Sequence, residues 1–294
     1  MKTLKTKDRY SYLLLVGIPF IILCIITLAP LIYSIYASFL SWNLAIPEAK
    51  KFIGLRNYFS MFKDSNFWNS SLNTLYQVSV TVIVQLIFGM VMALLLSRNF
   101  KGIRVIRSLY MLPMMMTPIV VGLLWRMLLN PEFGMINYFL SLISIKGPDW
   151  LGSSKLAMPS IIFTDIWVST PFVAMIILAG IQSLPREPFE AAKIDGATLF
   201  QSFRYIMLPL LKPVIWVAIL FRFMDAVKRF DTIYVMTSGG PGNVTETMNI
   251  YAWSNAFTFL NTGYSAALAT VMLLIIFVVS ILLIRNMQRS GVNY

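Results

Sequence analysis

Charge is distributed very unevenly along this chain. No charged residue occurs from Ser11 to Pro47, and none from Ser65 to Ser97. A helix needs roughly 20 apolar residues to cross the hydrocarbon core of a bilayer, and both runs exceed that. Reading each apolar run between charged or turn-rich breaks predicts six membrane-spanning helices, over residues 12–39, 70–97, 107–129, 157–182, 212–236 and 262–284. The first run is too long for the apolar core of a secretory leader, and no small-residue cleavage site stands out, so it reads as a retained span. The predicted class is an all-α, polytopic membrane protein with six transmembrane helices. Residues 1–11 precede the bundle, 12–284 form it, and 285–294 trail it.

Composition supports the pattern and removes several functions. Of 294 residues, 58% are hydrophobic and 12% charged, against about 45–50% and about 25% in a soluble domain. The mean hydropathy is +0.74. The chain has no histidine, which excludes histidine acid–base catalysis, zinc-protease motifs and histidine proton relays. Cys24 is the only cysteine and lies inside the first apolar run, so an intrachain disulfide or a cysteine-rich metal centre is excluded. No catalytic set is expected, nor a metal site, and the chain reads as a non-enzyme.

The net charge of +12 is compatible with nucleic acid until the cations are placed. One side of the predicted bundle holds fourteen: Lys2, Lys5, Lys7 and Arg9; Arg98, Lys101, Arg104 and Arg107; Arg186, Lys193, Arg204 and Lys212; Arg285 and Arg289. The other side holds six: Lys50, Lys51, Arg56, Lys63, Lys146 and Lys155. Lys and Arg concentrate on the cytoplasmic face of membrane proteins, so both termini are expected in the cytoplasm. The basic charge is mostly a topology record, and no nucleic-acid partner is expected.

The loop over residues 183–211, between spans four and five, has its own local chemistry. Pro188 suits the first turn of a helix, Phe189 to Asp195 continue it, and Gly196 can take the left-handed stop. Thr198 and Gln201 have capping-box spacing for a second helix, Leu199, Phe203 and Ile206 fall on one stripe, and Pro209 is expected to close it. Within this helix–turn–helix elbow, Glu190-Ala191-Ala192, Asp195-Gly196-Ala197, Ile206 and Leu208-Pro209 resemble the EAA loop of ABC-importer permeases. Leu112-Pro113, Trp125-Arg126, Asn130-Pro131-Glu132-Phe133-Gly134 and Gly239-Gly240-Pro241-Gly242-Asn243 are similar to carbohydrate-type importers, in the maltose and glycerol-phosphate branch, on the side of the larger permease. The chain departs from the maltose importer's subunit in lacking its extra N-terminal spans and its large periplasmic insertion.

This resemblance implies a type I ABC-importer permease fold in a bacterial inner membrane. It implies that the elbow is the coupling helix docking into a cytoplasmic ATPase, with Glu190 toward basic groups and Gly196 allowing the sharp turn. It also implies partners: a second related permease forming a heterodimer, two ATPase subunits, an extracytoplasmic solute-binding protein, and a carbohydrate substrate. The chain contains no Gly-x-x-x-x-Gly-Lys-Ser/Thr phosphate loop, so ATP and Mg are expected on the ATPase partners and no cofactor on this chain.

Charges at bilayer depth are costly and mark function. Span five carries Arg222, Asp225, Lys228, Arg229 and Asp231, a surplus of one cation. Arg222, Asp225 and Arg229 fall within about 60° of one another on a helix, with Asp225 able to pair with either arginine. Span four carries Asp165 as a lone carboxylate beside Trp167, and Pro171 frees a carbonyl for a local opening. By the resemblance, Asp165, Val168, Ser169, Phe172, Asp225 and Arg229 match substrate-contacting positions, as do Met114 and Pro118 in span three, with Thr117 the polar candidate beside them. Trp167 adds an aromatic face for a sugar ring. Met115 and Met116 read as core, and Arg126 as a side chain reaching the headgroups. Alanine at Asp165 or Asp225 is expected to reduce uptake with assembly intact. The alternative is an ion-coupled secondary transporter using Asp165, Asp225 and Asp231. That alternative has no need of the elbow. An anionic solute such as glycerol phosphate stays open, because Arg222, Lys228 and Arg229 supply positive charge.

Overall fold

The computed structural model describes residues 6–46, 48 and 50–289. Lys2, Lys5 and the tail beyond Arg289 lie outside them. Thirteen helices and one short hairpin are present among the described residues: α1 (Thr6–Ser38), β1 (Leu40–Ser41), β2 (Lys51–Phe52), α2 (Arg56–Lys63), α3 (Ser65–Leu96), α4 (Ile103–Met111), α5 (Pro118–Leu128), α6 (Met135–Leu142), α7 (Ala157–Ser183), α8 (Glu187–Ile194), α9 (Leu199–Ser202), α10 (Leu208–Val227), α11 (Asp231–Thr237), α12 (Met248–Trp253) and α13 (Thr262–Arg289). Five helical stretches are long and apolar enough to span a membrane: Leu15–Ser38, Ser65–Leu96, Ala157–Ser183, Leu199–Val227 and Thr262–Gln288.

The sixth expected span is not one helix. α4 tightens into a 3-10 turn over Leu112–Met115, and α5 then leaves at 92°. The sequence permits the break. Thr117 precedes Pro118, and a residue before proline is pushed out of the helical region; Met116 and Thr117 accordingly have ψ of 145° and 143°. Span five differs as well. α10 ends at Val227, and Arg229 and Phe230 lead into α11, so the expected stretch 212–236 is two helices.

Pro209 does not close the second elbow helix. The chain runs from α9 through a π-helical stretch, Phe203–Met207, straight into α10. A proline inside a helix lacks one donor and presses on the carbonyl four residues back. The wider turn relieves this: the Leu208 N–H reaches back to the Phe203 carbonyl. α7 likewise continues through Pro171 without a break, so the local opening expected there is absent.

Two packing units are distinguishable. In the unit of residues 1–64 and 252–273, the hairpin pairs Leu40 with Phe52 and Ser41 with Lys51, and Asn57 Nδ2 donates to the carbonyls of Ser38 and Leu40. The Tyr264 hydroxyl donates to Asp64 at 2.7 Å.

In the unit of residues 65–251 and 274–294, α3 and α7 form the principal pair. They approach closely at Gly89, where a Cβ would stand 2.6 Å from Val173 Cγ1 and 3.3 Å from the Ala174 nitrogen. Val173 and Ala174 are both fully buried, so neither can move aside freely. Gly89→Ala is therefore expected to destabilise by about 1–3 kcal/mol through overpacking. Val173→Ala in the same chain should restore part of the lost melting temperature; no recovery would show that the approach is not what the glycine serves.

Candidate functional site

The charges of α7 and α10 meet in one buried cluster. Arg222, on α10, is 2% exposed and Asp165, on α7, 1%. Arg222 Nε donates to Gln85 Oε1 of α3 at 2.7 Å, Nη1 to Asp225 Oδ2, and Nη2 approaches Asp165 Oδ2 at 3.5 Å. Gln85 in turn donates to the Asp165 carbonyl at 2.9 Å. Just past the end of α10, Arg229 Nη2 reaches Asp165 Oδ1 at 2.8 Å, Asp225 Oδ2 at 3.0 Å and Ser169 Oγ at 3.1 Å. The Ser169 hydroxyl donates to Asp165 Oδ1 at 3.1 Å. Two arginines and two aspartates thus share one network, with Asp225 as its exposed corner, at 58%. Asp165 is not a lone carboxylate: both guanidinium groups bind it. A buried charge is tolerable only when paired and hydrogen-bonded in this way.

A cavity of about 380 Å³ opens against this network. Of the residues singled out from sequence, Met114, Pro118, Val168, Ser169, Phe172, Asp225 and Arg229 line it. Three do not. Asp165 sits behind the wall, holding the arginines. Trp167 is 36% exposed and packs edge-on against Trp125 at 5.5 Å. Thr117 is exposed at the α4–α5 break, just before the first residue of α5.

The wall also includes Met116, Val121, Phe221 and Thr232, which sequence reasoning did not assign to the substrate, and Arg222, which it offered only as positive charge for an anionic solute. Met116 therefore faces the cavity instead of serving only as core, and Met115 is 74% exposed. The break at Met116–Thr117 turns successive side chains in directions that a straight helix would not. Arg126 does not end free: its Nη1 donates to the Val235 carbonyl at 3.0 Å, in the last turn of α11, where a cation suits the helix dipole. α11 lies tight on α5, with a Gly122 Cβ position only 3.1 Å from Val235 and Thr232 Oγ1 donating to the Pro118 carbonyl at 3.3 Å.

Gln85 is the most informative omission. It ends a buried polar row on α3, namely Ser70, Thr74, Gln77, Thr81 and Gln85. These positions step by three and four residues, the period of one helix face. That spacing is present in the apolar run itself and was the available signal.

The elbow is built by two interlocking caps. At the end of α8, Gly196 has φ +75°. The Ala197 N–H bonds the Ala192 carbonyl at 2.9 Å and the Gly196 N–H bonds that of Lys193 at 3.3 Å, the two bonds of a Schellman motif. Asp195 caps α8. One residue on from Ala197, the Thr198 hydroxyl accepts from the Gln201 N–H at 3.2 Å while Gln201 Oε1 accepts from the Thr198 N–H at 2.7 Å, completing the capping box.

Around this tip the apolar side chains are left bare. Ile194 is 87% exposed, Leu199 92%, Phe200 72% and Tyr205 73%. Leu199 does not share a buried stripe with the half-buried Phe203 and Ile206, because the π stretch rotates the register after Ser202. Glu190 lines a hollow of about 550 Å³ with Phe189 and Lys193. Asp195, Gly196, Ala197 and Ile206 line a second, of about 350 Å³. Glu190 and Ala191 are exposed and Ala192 half-buried. Leu208 and Pro209 form the first turn of α10.

A bundle of apolar spans, a charged cavity beside a broken helix and a bare helical elbow together define a multi-pass membrane transport component. The chain matches, over residues 85–290, the family described as binding-protein-dependent transport system inner membrane component. It belongs to that family. It is 35% identical to the trehalose/maltose transport system permease protein MalF of Thermococcus litoralis, over 96% of this chain and 95% of that one. It is 38% identical to the sulfoquinovosyl glycerol transport system permease protein SmoG of Agrobacterium fabrum, over 90% and 86%. Its fold superposes with a TM-score of 0.84 on a chain of a bacterial ABC transporter involved in import of the acidic polysaccharide alginate, at 21% identity over 97% of this chain and 96% of that one.

Proposed function

We propose that this chain is one permease subunit of an ATP-driven importer for a carbohydrate. It would form half of the pathway with a second, related permease. The observation that carries this is the cavity at the Arg222–Asp225–Arg229 network. It combines paired charges able to hydrogen-bond hydroxyl groups with Phe172 and Phe221, which meet edge to face at 6.3 Å and offer apolar surface to a sugar ring. The relatives named for trehalose/maltose and for sulfoquinovosyl glycerol support the substrate class.

The elbow supplies the coupling. Ile194, Leu199 and Phe200 project from a tip fixed by two caps, a geometry suited to seating in a cleft of a cytoplasmic ATPase subunit. Two such subunits, holding ATP and Mg, would drive the change between outward- and inward-facing states, and an extracytoplasmic binding protein would deliver the solute. Both termini would then be cytoplasmic, in keeping with the Lys and Arg distribution. The ion-coupled alternative is weakened because Asp165 is 1% exposed and engaged by both arginines, so that it is not free to take a coupling ion.

Uptake of labelled trehalose and maltose into vesicles carrying the assembled importer is the test. The expected result is uptake that requires ATP and the ATPase subunits and is indifferent to a proton uncoupler. Uptake that persists without the ATPase and collapses with the uncoupler would establish the ion-coupled reading instead.

A further inference from the structure

The cavity has two arginines in its wall, yet it offers a solute no unspent positive charge. Arg222 commits Nε to Gln85 and its two terminal nitrogens to Asp225 and Asp165. Arg229 commits Nη2 to Asp165, Asp225 and Ser169. With Asp165 behind the wall, the four charges cancel. Lys228, the cation that gives span five its surplus, is exposed and takes no part in the wall. Among the described residues, the wall's other members are uncharged.

What remains unspent is hydrogen bonding. Arg229 Nε is buried without a partner, and the Asp225 carboxylate is 58% exposed. That donor is enclosed by protein, so it adds no accessible cation to the cavity, and the exposed Asp225 carboxylate is what a solute meets. A hydroxyl group both donates and accepts. Hydroxyl groups therefore suit this corner, because they can donate to the exposed Asp225 beside the Arg229 side chain that also lines it. An anionic group would lie against a carboxylate that it cannot donate to. It would also have to shed its own hydration without a free cation to replace it.

Relatives of this chain are named for both kinds of solute, trehalose/maltose and sulfoquinovosyl glycerol, so membership of the family leaves the charge open. Resting on the carbohydrate reading above, we infer that this site selects an uncharged, hydroxyl-rich solute over one bearing a carboxylate, phosphate or sulfonate, and that Asp225 sets the preference.

The test uses proteoliposomes holding the complete importer with its binding protein, supplied with ATP. They are offered neutral sugars (trehalose, maltose) and anionic counterparts (trehalose 6-phosphate, a glucuronate-containing disaccharide). The wild-type ratio of neutral to anionic uptake is expected to be about tenfold or more, and Asp225→Asn, which leaves the cluster with one excess cation, is expected to lower it by roughly fivefold. Phe221→Lys adds a cation to the wall without touching the four paired side chains and is expected to act in the same direction, which covers failure of the first variant to fold. Anionic uptake exceeding neutral in the wild type, or a ratio unchanged in the folded variants, would overturn the inference. Transport of neither sugar class by a complex that imports a different solute would remove the carbohydrate reading along with it.

Discussion

Asp165→Ala is expected to unfold or strongly destabilise the bundle, while Asp225→Ala is expected to leave it standing and reduce transport. The two carboxylates bind the same two arginines but sit in opposite surroundings. Asp165 is 1% exposed and receives Arg229, Arg222 and the Ser169 hydroxyl. Its removal strands two guanidinium groups with a single remaining carboxylate, and breaking a buried ion pair from one side costs about 3–5 kcal/mol. Asp225 is 58% exposed, so water can take over much of what it gives the arginines, and the stability loss should stay near about 1 kcal/mol or below.

Melting of the detergent-solubilised chain separates the cases, with uptake measured in parallel. A double variant sharpens the result. Arg222→Met on the Asp165→Ala background leaves Arg229 and Asp225 balanced, and should recover part of the lost stability because a buried pair replaced from both sides is far better tolerated than one broken from a single side. Equal melting temperatures for Asp165→Ala and Asp225→Ala would dismiss Asp165 as the anchor of the cluster. The outcome expected from sequence, in which both variants fold and assemble normally, treated Asp165 as a lone carboxylate. Its partners are 57 and 64 residues away along the chain, at Arg222 and Arg229.

That distance explains much of what the sequence shows and hides. The apolar runs are legible because bilayer thickness imposes a length on each of them, whatever the neighbours do. The elbow is legible for the opposite reason. Its Gly196 stop and its Thr198–Gln201 box are closed by bonds within five residues, so local chemistry decides them. The break in span three lies between these cases. Pro113 and Pro118 are visible, but an apolar run with proline can equally stay helical, as α7 does through Pro171 and α10 does through Pro213. Packing settles which occurs, and at α5 the packing partner is α11, held by the Thr232–Pro118 contact. Met116 and Phe221 entered the cavity wall for the same reason: their directions depend on a bend and on a neighbouring helix. Gln85 depends on residues 80 and 137 positions away, and only its place in a periodic polar row gave notice of it.

Gly196→Val is expected to uncouple the chain from its ATPase without unfolding it. The φ of +75° at Gly196 lies in the left-handed region, which costs an L residue about 1–2 kcal/mol, and a β-branched side chain is the least suited to it. A Cβ there would meet nothing within 4 Å, so the penalty is conformational and not a clash. Relief requires the backbone to leave the left-handed region. That breaks the Ala197–Ala192 and Gly196–Lys193 bonds and changes the angle at which α8 meets α9. The exposed tip of Ile194, Leu199 and Phe200 would then no longer present one shape. Because the elbow is exposed and its two caps close on themselves, the spans should keep their melting temperature. Co-purification with the ATPase and stimulation of its hydrolysis should fall together. Asparagine tolerates the left-handed conformation far better than valine, so Gly196→Asn should retain most of both. Normal co-purification and stimulation by Gly196→Val would refute the elbow as the docking element, whereas loss with Val and retention with Asn would tie coupling to one backbone angle.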